Sequence, residues 1–133
     1  DLRRADLRHA DFGGANLFNA DLRRGDLRRA DLASAYFSSS NFSGANLRHA
    51  DFSASDLGGV NLGGANLDRA KLGSANLQGV DFRAHETYGK VKNLTPTQVK
   101  SACFWQEAQF DPDFQERLAQ EPEQDVDCSR WKE

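Results

Sequence analysis

Large apolar residues recur at every fifth position over residues 1–84, and this is the dominant pattern in the chain. The seventeen positions run from Leu2 to Phe82 and hold twelve Leu and five Phe. The residue two places earlier is small, and it is Ala in eleven of the sixteen cases from Leu7 onward. The residue one place earlier is Asp or Asn in fifteen of the seventeen cases, Tyr36 and Lys71 being the exceptions. Self-similarity at a fixed period indicates a repeat architecture.

The unit is represented by Ala5-Asp6-Leu7-Arg8-His9. We call Leu7 the centre of its repeat, Arg8 the first turn position and His9 the second turn position. A five-residue period matches neither a helix, which repeats about every 3.6 residues, nor a strand, which alternates about every 2. The chain must therefore turn regularly, so that the small residue and the centre both face one axis. Four units would close a coil of about twenty residues, and stacked coils would repeat at about 4.8 Å.

The residue types at each position fit an all-β solenoid. Leu and Phe fill the coil, while small neighbours let its walls approach closely. Asp and Asn before each centre favour turns, because their side chains bond the local backbone. The many Gly and Ser at the turn positions suit tight corners.

Copies such as Ala15-Asn16-Leu17-Phe18-Asn19 and Ala65-Asn66-Leu67-Asp68-Arg69 resemble the pentapeptide repeat family. The resemblance covers residues 1–84 and implies a right-handed quadrilateral β-helix of about four coils. It implies little about function, because one fold hosts many functions. After the repeats come a Leu94-Thr95-Pro96 stretch and a Phe110-Asp111-Pro112 step. This arrangement is similar to that of small pentapeptide repeat proteins from photosynthetic bacteria. That similarity implies a periplasmic or thylakoid-lumen location, with the cytoplasm as the alternative.

The repeats end at residue 84, and residues 85–93 are predicted to form a linker. Thr95-Pro96-Thr97-Gln98 has the spacing of a capping box, which predicts a helix from about Pro96 to Gln109. Asp111-Pro112-Asp113 predicts the start of a second, short helix. Because the last coil of a solenoid leaves an unpaired edge, we interpret residues 94–119 as a two-helix C-terminal cap. A dimerisation surface is the alternative.

Residues 120–133 form an acidic tail that is predicted to be disordered except at Cys128. A bond between Cys103 and Cys128 would close a loop of about 25 residues and stabilise the fold by about 3 kcal/mol. It would also indicate an oxidising compartment. The alternative is two free cysteines, with Cys103 simply buried.

The net charge of −3 is unevenly divided, with +1 on residues 1–84 and −4 on residues 85–133. Grouping the repeats by four places a set of arginines on one edge of the rod, which we call the arginine edge: Arg3, Arg4, Arg8, Arg23, Arg24, Arg28, Arg29 and Arg48. One interpretation is a docking strip for an anionic partner, with phosphate, nucleic acid and an acidic protein as the candidates. The other is a solvated edge neutralised by Asp1, Asp6, Asp21 and Asp26. The neighbouring walls are smooth, with Gly, Ser and Ala, and a monomer or weak dimer is expected.

No catalytic constellation is recognisable, and neither an enzyme nor a cofactor is expected. His9 and His49 fall in one column but two coils apart, about 9–10 Å, so no metal site is predicted. Nucleic acid is an unlikely partner, because no aromatic residues are interleaved with the arginines. With a mean hydropathy of −0.71, the chain shows no membrane span.

The sequence therefore predicts a non-enzymatic structural or protein–protein interaction module. The alternative is that the protein mimics DNA and modulates gyrase or topoisomerase. This activity is known for other members of the pentapeptide repeat family, which the chain resembles. A near-neutral rod with an arginine edge disfavours it, because a DNA-like rod needs a negative potential along its length.

Overall fold

The computed structural model describes residues 1–131. Two α-helices lie in this range, α1 over Pro96–Lys100 and α2 over Pro112–Gln120. Short 3-10 helices cover Trp105–Glu107 and Ser129–Trp131. The described part of the repeat region has no helix, and its sheet pairing consists of single-residue parallel bridges rather than long strands.

The bridges join residues that lie 20 positions apart, from Asp6–Asp26 to Asn61–Asp81. Each coil therefore contains four five-residue repeats and stacks on the next in parallel register, as the sequence predicts. The bridged residue is the one before each centre, and both its backbone N–H and its carbonyl bond the preceding coil. Asp26, for example, donates from its N–H to the carbonyl of Ala5 at 3.0 Å and accepts from Leu7 at 2.8 Å.

The sixteen repeats centred on Leu2 to Leu77 all turn in the same way. The N–H of Ala5 donates to the carbonyl of Leu2 at 3.1 Å, closing a turn around Arg3 and Arg4. The second turn position has a positive φ, which is 58° at Arg4. The carboxylate of Asp1 accepts the N–H of Arg3 at 3.1 Å, and this local bond explains why Asp and Asn precede the centres.

The centres and the small residues form the core. Centres from Leu22 to Phe82 are buried, whereas Leu2, Leu7, Phe12 and Leu17 of the first coil are only partly covered. Phe37, Phe42 and Phe52 meet edge to face, with ring centroids 5.2 to 6.0 Å apart. The stacked rings of Phe82, Phe110 and Phe114 join the last repeat to α2.

The prediction that the first helix reaches Gln109 is wrong, because α1 ends at Lys100. The capping box itself is confirmed, with Thr95 and Gln98 bonded reciprocally. Beyond α1 the backbone returns to the coil stack, since Cys103 pairs with Asn76 and Gln109 with Asp81. These bridges would be impossible within one continuous helix. Residues 92–109 thus form an irregular fifth coil over the fourth.

The segment 85–93 does more than connect two regions. His85 and Gly89 form an antiparallel bridge, and the ring of His85 stacks on Tyr88 with centroids 4.8 Å apart. Tyr88 lies directly over Gly44 and Gly64. The face that carries Arg4 and Arg24 in the first two coils is therefore covered in its third and fourth coils by the protein's own chain.

The acidic tail is held rather than disordered up to residue 131. Lys100 is buried, and its ammonium group donates to the carbonyl of Glu121 and to the carboxylate of Glu123. Cys103 and Cys128 are joined by a disulfide bond, with Cα atoms 5.8 Å apart. Trp131 donates from its indole N–H to the carbonyl of Ser74 at 2.7 Å. Lys132 and Glu133, also predicted to be disordered, lie outside the described residues.

Candidate functional site

The arginine edge separates into two groups according to position in the turn. Arginines at the first turn position fold back onto the Asp two residues earlier, because both side chains leave the same side of the turn. The closest N–O distances are 2.6 to 2.7 Å for these pairs: Arg3–Asp1, Arg8–Asp6, Arg23–Asp21 and Arg28–Asp26. Asp21 and Asp26 are also within 4 Å of Arg3 and Arg8 on the preceding coil.

The pairing is reflected in the acidity of the carboxyl groups. The side-chain hydrogen bond from Arg8 lowers the pKa of Asp6 to about 2, and that from Arg23 lowers the pKa of Asp21 to about 2. The pKa of Asp26 is lowered in the same way by Arg28. These carboxylates stay charged over the ordinary pH range. Because the pairs are exposed to solvent, screening keeps their contribution to stability small.

Arginines at the second turn position are different, and we call Arg4, Arg24 and Arg29 the unpaired corner arginines. Each has a φ near 60° and an exposed side chain. Among residues 1–131, no ion-pair partner is found for these three guanidinium groups.

Two further arginines follow the same rule. Arg48 occupies a first turn position but follows Asn46, so it reaches Asp68 on the next coil at 3.4 Å. Arg69 occupies a second turn position with a φ of 58° and is exposed. Sequence reasoning left Arg69 out of the edge, although its place two residues after Leu67 was a usable signal. It extends the column that holds Arg29.

Other features of the sequence analysis fall outside this edge. Phe18 and Tyr36 are exposed at 65% and 43%, and the Arg130 guanidinium lies 5.8 Å from the ring centroid of Tyr36. Within residues 1–131, no group of three or more His, Cys, Asp or Glu residues could hold a metal ion. No helix in that range is long and apolar enough to cross a membrane.

A groove that the sequence did not suggest lies beside α2 and the tail. It measures about 660 Å³, and its walls include Trp105, Phe110, Leu118 and Pro122. It belongs to the C-terminal region and not to the interior of the rod, where Leu, Phe and Ala fill the coils.

The repeating geometry defines a solenoid whose coils each consist of four five-residue units. The chain belongs to the pentapeptide repeat family. The family model, described as pentapeptide repeats, matches residues 1–24, 15–53 and 45–83 with eight copies. A search of curated proteins gave no match.

Several solved structures are similar. The pentapeptide repeat protein alr5209 from Nostoc PCC 7120 is 33% identical, with 81% of this chain and 86% of that chain covered and a TM-score of 0.58. HetL from the same cyanobacterium, involved in regulating heterocyst differentiation, is 26% identical, with 81% of this chain covered and a TM-score of 0.55. That match spans about half of HetL, 54% of its length.

A third similar structure is a pentapeptide repeat protein from the thylakoid lumen of Arabidopsis thaliana. It is 31% identical over 62% of this chain and 68% of that chain. Its TM-score is 0.28.

Proposed function

We propose that this protein is a non-enzymatic protein–protein interaction module whose arginine edge binds an acidic protein partner. In this proposal residues 1–84 form the right-handed quadrilateral β-helix of the family and act as a rigid support. Residues 94–119 cap its last coil, and the tail from residue 120 is tied back through Cys128. The module is expected to be a monomer or weak dimer.

The observation that carries the proposal is the exposed, unpaired state of Arg4, Arg24 and Arg29. An arginine that already pairs with a carboxylate has fewer free N–H donors and a partly balanced charge, whereas an unpaired arginine offers its whole guanidinium fork to a partner. Guanidinium groups bind carboxylates in a two-pronged geometry that lysine cannot supply. Each of these corners is fixed by coil-to-coil hydrogen bonds, such as Arg29 N–H to the carbonyl of Arg48 at 3.0 Å. The rigid spacing reduces the entropy lost on binding.

DNA mimicry towards gyrase or topoisomerase is the weaker alternative. It requires a negative rod, and residues 1–84 carry a net charge of +1. Direct binding of nucleic acid lacks aromatic residues between the arginines for base stacking. The disulfide bond favours an oxidising compartment such as the periplasm or thylakoid lumen, where neither DNA nor gyrase is present. The cytoplasm is the alternative location.

The proposal can be tested with a fluorescent peptide of ten glutamates as the probe, titrated with the folded protein at low ionic strength. A triple variant, Arg4→Ser, Arg24→Ser and Arg29→Ser, removes the unpaired corner arginines. Ser is compatible with the corner, because Ser34 and Ser39 occupy equivalent positions with positive φ. We expect the triple variant to lose at least about tenfold in affinity, corresponding to about 1.4 kcal/mol.

The matched control removes three arginines from the paired group: Arg3→Ser, Arg8→Ser and Arg28→Ser. Both triple variants change the net charge by the same amount, so long-range attraction is weakened equally. We expect the control to bind the probe more tightly than the corner variant. An equal loss in both would show that binding follows net charge alone, and the docking strip would be rejected.

A further inference from the structure

A recess of about 330 Å³ opens where the 85–89 segment meets the rod. Six residues line it: Arg24, Gly44, Gly64, Thr87, Tyr88 and Lys92. Two of them are cationic, two carry hydroxyl groups, and none is acidic. The volume lies at the lower end of the range of small-molecule sites, about 300–1,000 Å³.

Both cations are without an ion-pair partner among the described residues 1–131. The two carboxylates that flank Arg24 in sequence, Asp21 and Asp26, are already bound by Arg23 at 2.6 Å and by Arg28 at 2.7 Å. Glu86 adjoins Thr87 in sequence but does not line the recess. The site therefore has two positive charges with no lining carboxylate to balance them.

The walls of the recess are fixed in place by backbone pairing. Lys92 belongs to the fifth coil, where its N–H donates to the carbonyl of Ala65 at 2.8 Å and its carbonyl accepts from Leu67 at 2.9 Å. Arg24 donates from its backbone N–H to the carbonyl of Ser43 at 3.0 Å. Tyr88 is held between the His85 ring and the two glycines. A site with such fixed walls loses little entropy when it binds a ligand.

We propose that this recess binds the dianionic oxyanion of phosphate or of a phosphate monoester. Such a group balances both cations, whereas a carboxylate balances only one. Its three or more acceptor oxygens match the fork of Arg24, the ammonium group of Lys92 and nearby hydroxyl donors. Gly44 and Gly64 have no side chains that would fill the space. Free phosphate and a phosphorylated side chain share this chemistry.

The test is isothermal titration of the full chain with inorganic phosphate and with O-phosphoserine, using serine as the uncharged comparison. We expect saturable binding at one site for at least one of the two phosphate compounds and none for serine. Tighter binding of O-phosphoserine would identify a phosphorylated side chain as the source. Tighter binding of inorganic phosphate would identify the free ion.

Two variants weaken the site from opposite sides, Arg24→Ser on the rod and Lys92→Gln on the fifth coil. Each is expected to lower the affinity about tenfold, the loss expected for one charge-assisted hydrogen bond. Arg4→Ser is the control, since Arg4 occupies the same column one coil away, is also unpaired and does not line the recess. It should leave phosphate affinity unchanged. Circular dichroism verifies that each variant is folded.

The absence of saturable binding would overturn the proposal. An equal loss in the Arg4→Ser and Lys92→Gln variants would also overturn it, because it would indicate non-specific attraction. The outcome is separable from the test of the arginine edge. Lys92→Gln removes a residue of the recess that is not part of that edge, and Arg4→Ser removes a residue of the edge that is not part of the recess.

Discussion

Tyr88 occupies the space that a side chain at Gly64 would need. A β-carbon built on Gly64 would overlap Cβ of Tyr88 and also its backbone carbonyl. At Gly44, one coil earlier, the added atom would lie 2.9 Å from the tyrosine ring. The glycines of this wall are therefore required by the 85–89 segment that docks on them, and not only by the turns of the rod.

Replacing Gly64 by Ala should destabilise the protein by about 2–3 kcal/mol, because overpacking adds to the left-handed backbone cost. Gly14→Ala is the matched control. Its φ of +69° is close to the +74° of Gly64, but nothing lies within 4 Å of its added carbon. We expect a loss of about 1 kcal/mol there. Urea unfolding measures both, and equal losses would mean that Tyr88 does not pack on the wall.

Replacing Leu47 by Ala should cost about 2–5 kcal/mol, because this centre is fully buried in the third coil. Leu7 occupies the equivalent position in the first coil and is only partly covered. Leu7→Ala should therefore cost clearly less. Thermal unfolding of the two variants gives the comparison, and a Leu47 variant as stable as the parent would refute the inward register.

The Asp21 carboxyl should titrate with a pKa of about 2, below its ordinary value of 3.8, because Arg23 donates to it. Since the pKa is lower in the folded state, this pair stabilises the fold above about pH 4, and the contribution is lost as the pH falls towards 2. Carbon-detected NMR of the carboxyl group measures the titration. Arg23→Ser should raise the pKa of Asp21 towards its ordinary value of 3.8, because the largest cause of the lowered pKa is removed.

Arg24→Ser serves as the control for that titration, because Arg24 follows Arg23 directly in sequence but forms no ion pair with Asp21. It should leave the pKa of Asp21 near 2. If Asp21 instead titrated near 3.8 in the parent protein, the pairing of the first turn positions would be contradicted.

Cleaving the bond between Cys103 and Cys128 should destabilise the protein by about 3 kcal/mol, according to the chain-entropy estimate for the 25-residue separation. Cys128→Ser removes the bond at its half-buried end. Trp131 should then leave Ser74, and the tryptophan emission should shift to longer wavelength. Reduction of the parent protein should reproduce both changes. Unchanged stability would show that the buried Lys100 alone holds the tail.

The regular part of the fold was predictable because one interaction pattern repeats. The spacing of the centres gives the buried column that contains Leu47, and the Asp or Asn before each centre gives the turn bonds. The separation of paired from unpaired arginines was also within reach, since Asp1 and Arg3 stand two residues apart just as Asp21 and Arg23 do. A rule about the two turn positions would have found it.

The C-terminal region was less predictable because distant contacts decide its structure. Helical periodicity extended α1 to Gln109, but the N–H of Cys103 donates instead to the carbonyl of Ala75 at 2.7 Å. Nothing near Cys103 in sequence encodes that partner. Likewise, the local sequence places Tyr88 in a linker. Its contacts are with Gly44 and Gly64, which lie in earlier coils and far from it in sequence.

The most direct measurement of the proposed docking strip is NMR of the arginine Nε–H groups while the decaglutamate peptide is added. The Nε–H signals of Arg4, Arg24 and Arg29 should shift progressively and saturate together, because these guanidinium groups are free to donate to a carboxylate of the peptide. Arg8, Arg23 and Arg28 should shift little, since their Nε–H groups already donate to Asp side chains. Equal shifts in both groups, or shifts confined to the paired arginines, would contradict the assignment of the unpaired corner arginines as the binding surface.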